Sequence, residues 1–195
     1  MHPHHQPTAM QYSDLPQLTH DLVYLRPLSR ADAAAWYGYL RMPHVIEHTS
    51  WDLRSIDELM PKFDAIESSN PSSEIRFAIA LRSSHELVGT IGFHTISTIN
   101  KTAELAYDLS PTIWGQGIAP AVCESVISWG FGQLGAVRIQ ATVLESNDRS
   151  IRVLEKSGFE REGLLRSFRM VRGRPGNFWM YSRLRLADSS ALRIG

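Results

Sequence analysis

Trp114-Gly115-Gln116-Gly117-Ile118-Ala119-Pro120 decides how this chain is read, because a strand-like run leads into it and a helix-like run leaves it. Upstream, Ala103, Leu105, Tyr107 and Leu109 alternate with Glu104, Ala106 and Asp108, the period of a strand with one apolar and one polar face. Downstream, Ala119, Val122, Cys123, Val126, Ile127, Gly130 and Leu134 recur at helical spacing from Pro120 to Leu134, and Gly135 is a suitable stop. A glycine turn between the two can cradle a phosphate. Small residues permit positive φ and close backbone approach, while the first amides of the helix lack helical partners. Pro120 suits the first helical turn but carries no N–H, so the cradle rests on the amides of Gln116, Gly117, Ile118 and Ala119.

Outward from this turn the chain alternates between the two periods. Leu22 to Leu28 reads as a first strand, and Ser29 with Asp32 three residues on starts a helix that runs through Leu40. The segment 41–54 breaks at Pro43, and Ser55-Ile56-Asp57-Glu58 repeats the start signal before a second helix towards Ser69. Ile75 to Leu81 and Leu87 to Ile96, separated by Arg82-Ser83-Ser84-His85-Glu86, read as an antiparallel hairpin. After the long helix, Val137, Ile139, Ala141 and Val143 alternate as a strand, and Asn147 or Asp148 caps a short helix ending at Ser157-Gly158. Phe159 to Phe168 and Phe178 to Arg185 then form a closing hairpin around Gly173-Arg174-Pro175-Gly176.

No repeat or linker divides the chain. Its 195 residues suit one domain, 21–187, with a flexible tail over 1–20 and a second over 188–195. A composition of 43% hydrophobic and 21% charged residues is that of an ordinary globular protein, and a formal net charge of +0 argues against broad capture of nucleic acid. Arg161, Arg166, Arg169, Arg172, Arg174, Arg183 and Arg185 concentrate positive charge late in the chain, as a basic surface or an ordinary solvated face. Cys123, the single cysteine, excludes an internal disulfide, sits at an apolar helical position and suits a reducing cytoplasm. No apolar run is long enough to span a bilayer, and His2, His4 and His5 have no companion ligand cluster downstream, so no metal site is expected.

The order β-α-α-β-β-β-α-β-α-β-β, with the glycine turn after the fourth strand, resembles the GNAT superfamily of acetyl-CoA-dependent N-acetyltransferases over roughly Leu22 to Leu186. Four motifs in sequence order look most like the branch of the ribosomal-protein N-terminal acetyltransferases RimJ and RimL. They are Leu25-Arg26-Pro27-Leu28, Ala103-Glu104-Leu105-Ala106-Tyr107, Trp114-Gly115-Gln116-Gly117, and Asn147-Asp148-Arg149-Ser150 leading into Glu155-Lys156-Ser157-Gly158-Phe159. The resemblance implies an α/β (α+β) fold, a mixed, mostly antiparallel, splayed sheet of about seven strands flanked by about four helices. It further implies that Trp114, Gly115, Gln116, Gly117, Ile118 and Ala119 bind the pyrophosphate of acetyl-CoA. Leu109 and Ser110 would pair with the pantetheine arm, and Asn147 and Ser150 would contact it from the other side of the splay. Trp114 departs from the family pattern, which has Arg or Gln at that place. Many relatives dimerise, which implies a homodimer, although no exposed seam is legible.

For transfer to a primary amine, Glu104 on the polar face of the splayed strand is the candidate general base, directly or through water, with His94 as its neighbour. Many relatives protonate the leaving thiolate with a tyrosine where this chain has Leu154, so Ser150 is the remaining hydroxyl for that task. The acceptor is a peptide, possessing an α-amine of pKa about 7.7 to 8.0, or a small molecule such as a polyamine, amino acid or aminoglycoside. Trp36, Tyr37, Trp51, Phe168 and the turn from Arg172 to Asn177 are candidates to frame its site. Two readings compete: a catalytically idle acyl-CoA-binding module, and a dinucleotide oxidoreductase using Glu145 as the ribose acid. Pro120 in place of a third glycine and a half-polar strand count against the second. The absence of Gly-Lys-Ser/Thr excludes a Walker nucleotide triphosphatase.

Overall fold

The computed structural model describes residues 14–49 and 52–186. Seven strands form one open sheet in the order β1-β2-β3-β4-β5-β7-β6. They are β1 (Val23–Pro27), β2 (Ile75–Leu81), β3 (Leu87–Ser97), β4 (Thr102–Leu109), β5 (Arg138–Leu144), β6 (Glu160–Val171) and β7 (Arg174–Leu184). Every pairing is antiparallel except that of β4 with β5. Five helices accompany them: α1 (Ala33–Leu40), α2 (Pro43–Ile46), α3 (Met60–Ile66), α4 (Ile118–Gln133) and α5 (Asp148–Lys156).

The alternation in β4 sends its two residue sets to two cores. Ala103, Leu105 and Leu109 join Val122, Cys123, Val126 and Ile127 of α4 on one face. On the other, Leu40, Trp36 and Phe63 of α1 and α3 close over Ala78 and Leu87. Helix α4 starts at Ile118, two residues earlier than the sequence suggests, so Pro120 lies within its first turn where no N–H is required. Helix α2 was not anticipated, because Pro43 reads as a break; it is instead the first residue of a single turn after extended Met42.

The closing hairpin is longer than expected. Its turn is Arg172-Gly173, both at positive φ (48° and 76°), a two-residue geometry that matches strand twist, and Pro175 and Gly176 belong to β7. The tail assigned to residues 1–20 also needs correction where it can be seen. The Asp14 carbonyl accepts from the Trp129 indole at 2.7 Å, the Gln17 carbonyl from Ser125 at 2.7 Å, and Leu15 and Leu18 pack against the core, so residues 14–20 lie along α4. The histidines at 2, 4 and 5, the tail at 188–195 and Trp51 lie outside the described residues. Among the described residues no helix is long and apolar enough to cross a membrane, and no group of His, Cys, Asp and Glu could hold a metal ion.

Candidate active site

Strands β4 and β5 pair only from Thr102 to Glu104 against Arg138 to Gln140, then part. The remaining five residues of β4 have β3 on one edge and a gap on the other. Hydrogen-bonding groups alternate along a strand, and the Ser110 N–H donates to Val88 at 2.7 Å on the β3 side. The N–H groups of Tyr107 and Leu109 therefore point into the gap. This corrects the expectation for Ser110, whose hydroxyl also turns away to Thr112 (2.9 Å). The Leu109 carbonyl is engaged as well, accepting from the Trp114 indole at 2.9 Å.

At one end of the gap lies the glycine turn. Gly115 and Gly117 adopt φ of 76° and 75°, and a Cβ on either would meet nothing within 4 Å, so the turn fronts open space. Gly117 caps α4, and the amides of Gly115 to Ala119 donate to no backbone acceptor outside the helix among the described residues. Converging unpaired donors at the start of a sixteen-residue helix suit a pyrophosphate. Trp114 is scaffold to this cradle: its own amide donates to Pro111, and its ring lies edge-on to His44 and beneath Arg149, 4.4 Å from the ring centre. Gln116 turns back to the Thr112 carbonyl, and the Ile118 side chain is buried in the core.

Across the gap stands the start of α5. Asn147 Oδ1 accepts from the Ser150 amide at 3.1 Å and its Nδ2 donates to the His48 carbonyl at 3.1 Å, so it caps α5 and ties it to the segment after α2. The Ser150 hydroxyl lies 2.7 Å from the Tyr107 hydroxyl. Burial first, and then the neighbouring Cys123, hold the Tyr107 phenol well above its ordinary pKa, so it keeps its proton. Sequence reasoning passed over Tyr107 because it counts as an apolar member of an alternating strand. Leu154, at the family's tyrosine position, is buried in the core.

Glu104 sits where the strands part and is 7% exposed. Its Oε1 accepts from Thr142 (2.8 Å) and Arg169 (3.1 Å) and lies 3.3 Å from His94 Nε2. Burial works against the charge, but His94, Thr142 and Arg169 together overcome it and lower the pKa to about 2. A carboxylate that acidic is a weak proton acceptor near neutrality, which counts against the base role expected of Glu104. Two irregularities aim its partners: a bulge at His94 between Phe93 and Thr95, and a three-residue bulge, Arg166 to Phe168, opposite Asn177. His94 Nδ1 is buried without a hydrogen-bond partner among the described residues.

Beneath the gap, Asp108 accepts from Trp36 (3.0 Å), Tyr39 (2.5 Å), Arg76 (3.0 Å) and Thr90 (2.9 Å). Arg76 also donates to Glu74 (3.1 Å), which accepts from Lys62 (2.9 Å). Trp36 is thus fully buried as a core donor and does not frame an acceptor site. Tyr37 is partly buried and donates to the Arg54 carbonyl at 3.0 Å. Phe168 remains open, edge-on to Phe178. The late arginines split into two groups. Arg183 pairs with Glu124 and Arg185 donates to Phe131 on α4, whereas Arg172 on the β6–β7 turn donates to the carbonyls of Ile46 (2.6 Å) and Glu47 (2.7 Å) at the end of α2.

Residues 23–160 match the family model described as the acetyltransferase (GNAT) domain. The N-acetyltransferase YoaA of Bacillus subtilis is 33% identical over 169 residues, 86% of this chain and 96% of that one. Two solved structures share the fold. The spermidine N-acetyltransferase of Vibrio cholerae, in complex with CoA and spermine, gives a TM-score of 0.73 at 23% identity over 83% of this chain and 95% of its own. The ribosomal-protein-S5-alanine acetyltransferase of Vibrio fischeri gives 0.75 at 18% identity over 88% and 97%. The chain belongs to the GNAT family of acetyl-CoA-dependent N-acetyltransferases.

Proposed function

We propose that this enzyme acetylates the α-amino group of a peptide or protein N-terminus, in a ternary complex, with the acetyl thioester held in the gap between β4 and β5. The observation that carries this reading is the parting of the strands beyond Glu104, with unpaired amides of β4 on one wall and the Tyr107–Ser150 hydroxyl pair on the other.

Acetyl-CoA, when bound, supplies an activated carbonyl and a thiolate leaving group. The amides of Gly115 to Ala119 would hold its pyrophosphate, and the N–H groups of Tyr107 and Leu109 would align the arm and take up charge on the carbonyl oxygen. Ser150 would donate a hydrogen bond to the departing sulfur, with Tyr107 donating in turn to Ser150 across their 2.7 Å contact. A thiol pKa of about 8.5 means that orientation and hydrogen bonding suffice there.

The amine must arrive with a free lone pair. Glu104, its pKa lowered to about 2, is a poor base for it. An α-amine of pKa about 7.7 to 8.0 is neutral to roughly a tenth near neutrality, a fraction hundreds of times larger than that of an amine near 10.4. That difference favours α-amines over lysine-like or polyamine nitrogens. Thiol release from acetyl-CoA, measured against peptides, amino acids, polyamines and aminoglycosides, tests the proposal. Turnover confined to polyamines or aminoglycosides would refute it.

A further inference from the structure

Between Gly163 and Asn177 the chain carries four arginines, Arg166, Arg169, Arg172 and Arg174, and no acid. Two of them fix where the hairpin lies. Arg169 reaches Glu104 at the point where β4 leaves β5, and Arg172 grips the carbonyls at the end of α2. The hairpin therefore flanks the gap from the splay point towards the end of α2. Arg166 sits on the three-residue bulge and Arg174 beside the turn; both are exposed, and neither pairs with a carboxylate among the described residues.

Three carboxylates are tied to this hairpin or to the segment it grips, fewer than its four arginines. Glu104 already faces Arg169 and His94. Glu145 accepts from Asn177 Nδ2 at 3.1 Å, and Glu47 lies 3.8 Å from His48. An amine attacking at the splay point would bring whatever it is attached to near this hairpin, which Arg169 ties to that point. Exposed Phe168 and Met170 add apolar surface between the charges.

We infer that the acceptor is an α-amine accompanied by carboxylates, on its own residue or the next few, which Arg166 and Arg174 recognise. The inference rests on the α-amine reading above and narrows it. Opposite charge draws such a substrate in, and a polycation meets repulsion along the same path. A free acidic amino acid and an acidic peptide N-terminus share this chemistry.

The test is steady-state thiol release by the full chain with acetyl-CoA and five acceptors: peptides beginning Ser-Asp-Glu, Ser-Ala-Ala and Ser-Lys-Arg, free aspartate, and spermidine. The acidic peptide should exceed the basic one in kcat/KM by about tenfold at low ionic strength, the scale of two exposed ion pairs, with the gap closing as salt rises. The double variant Arg166→Gln, Arg174→Gln should shrink that gap by lowering kcat/KM for the acidic peptide more than for the neutral and basic ones. Aspartate turned over as well as the acidic peptide would assign a small-molecule source, and the peptide alone a protein one; either supports the inference. Equal rates for all three peptides, a preference for the basic peptide or spermidine, or a double variant that keeps the full preference would overturn it. Turnover of neutral peptide under any of those outcomes would leave the α-amine reading standing. No transfer to any amine would remove both.

Discussion

Tyr107 on β4 and Ser150 on α5, separated by 43 residues in the chain, bring their hydroxyls to 2.7 Å across the opening between β4 and β5. The contact exists because β4 keeps its strand alternation after losing β5 as a neighbour, so Tyr107 points at the first turn of α5. That turn is fixed from its other side by Asn147 on the Ser150 amide. A pair of hydroxyls thus meets at the first turn of α5, while Leu154, one turn further on, fills the core.

Tyr107→Phe keeps the ring and deletes the donor, so kcat should fall by up to about 10²-fold, the low end for a positioned proton donor, while KM for acetyl-CoA changes little. Loss of one hydrogen bond should cost about 1 kcal/mol in urea unfolding. Ser150→Ala should lower kcat at least as much, and combining the two should add little, since both act through one chain of hydrogen bonds. Additive losses in the double variant would separate the two residues.

Glu104 provides a prediction in pH. Its pKa in the folded chain, about 2, lies below the ordinary carboxylate value, so its stabilising charge is fully present above about pH 4.5 and is lost as pH falls towards 2. Between those limits the wild-type chain should lose stability on the order of 3 kcal/mol from this group, and Glu104→Gln should abolish that part of the pH dependence. Near neutrality Glu104 does not titrate. The limb of the kcat/KM profile between pH 6 and 9 should therefore persist in Glu104→Gln, at a reduced rate. Disappearance of that limb would restore Glu104 as the base.

Strand periods, helix starts and the glycine turn were legible in the sequence because each is a local pattern. Ser29 with Asp32, for example, forms the expected start, the Ser29 amide donating to the Asp32 carboxylate at 2.9 Å. What escaped was set by contacts across the chain. Asp108 reads as a solvent-facing strand residue, yet it meets Trp36 and Tyr39 of α1, Arg76 of β2 and Thr90 of β3, three separate segments. Glu104 falls on the polar face of β4 as its alternation indicates, but its acidity depends on His94 first and then on Thr142 and Arg169, the last 65 residues away and aimed by a bulge that no periodicity reveals. Pro175 signals a turn locally, whereas the hairpin tolerates it within β7 and turns one step earlier.

The Asp108 cluster should govern stability more than chemistry. Asp108→Ala leaves the Arg76 guanidinium, 4% exposed, with one fewer carboxylate, and removes the acceptor that Trp36 and Tyr39 share. Breaking a buried pair by removing one partner costs about 3 to 5 kcal/mol, and denaturant unfolding should show a loss of that size. Replacing the exposed partner at the far end, Lys62→Met, should cost much less, since its ammonium still reaches water.

Gly117→Ala separates backbone strain from ligand binding. At φ of 75° an alanine is forced into the left-handed region, which costs roughly 1 to 2 kcal/mol, while the new Cβ clashes with nothing in the protein itself. The variant should therefore fold, with a correspondingly small loss in denaturant stability. The space that Cβ enters is open and belongs to the turn that carries the amides of Gly115 to Ala119. If the pyrophosphate of coenzyme A sits there, calorimetry should show its affinity for the variant falling by at least tenfold, because each 1.4 kcal/mol of lost amide contact is a factor of ten. Gly163→Ala is the control, since an added Cβ there also meets nothing within 4 Å and the residue lies outside the turn. Coenzyme A affinity that falls equally in both variants, or in neither, would place the pyrophosphate elsewhere.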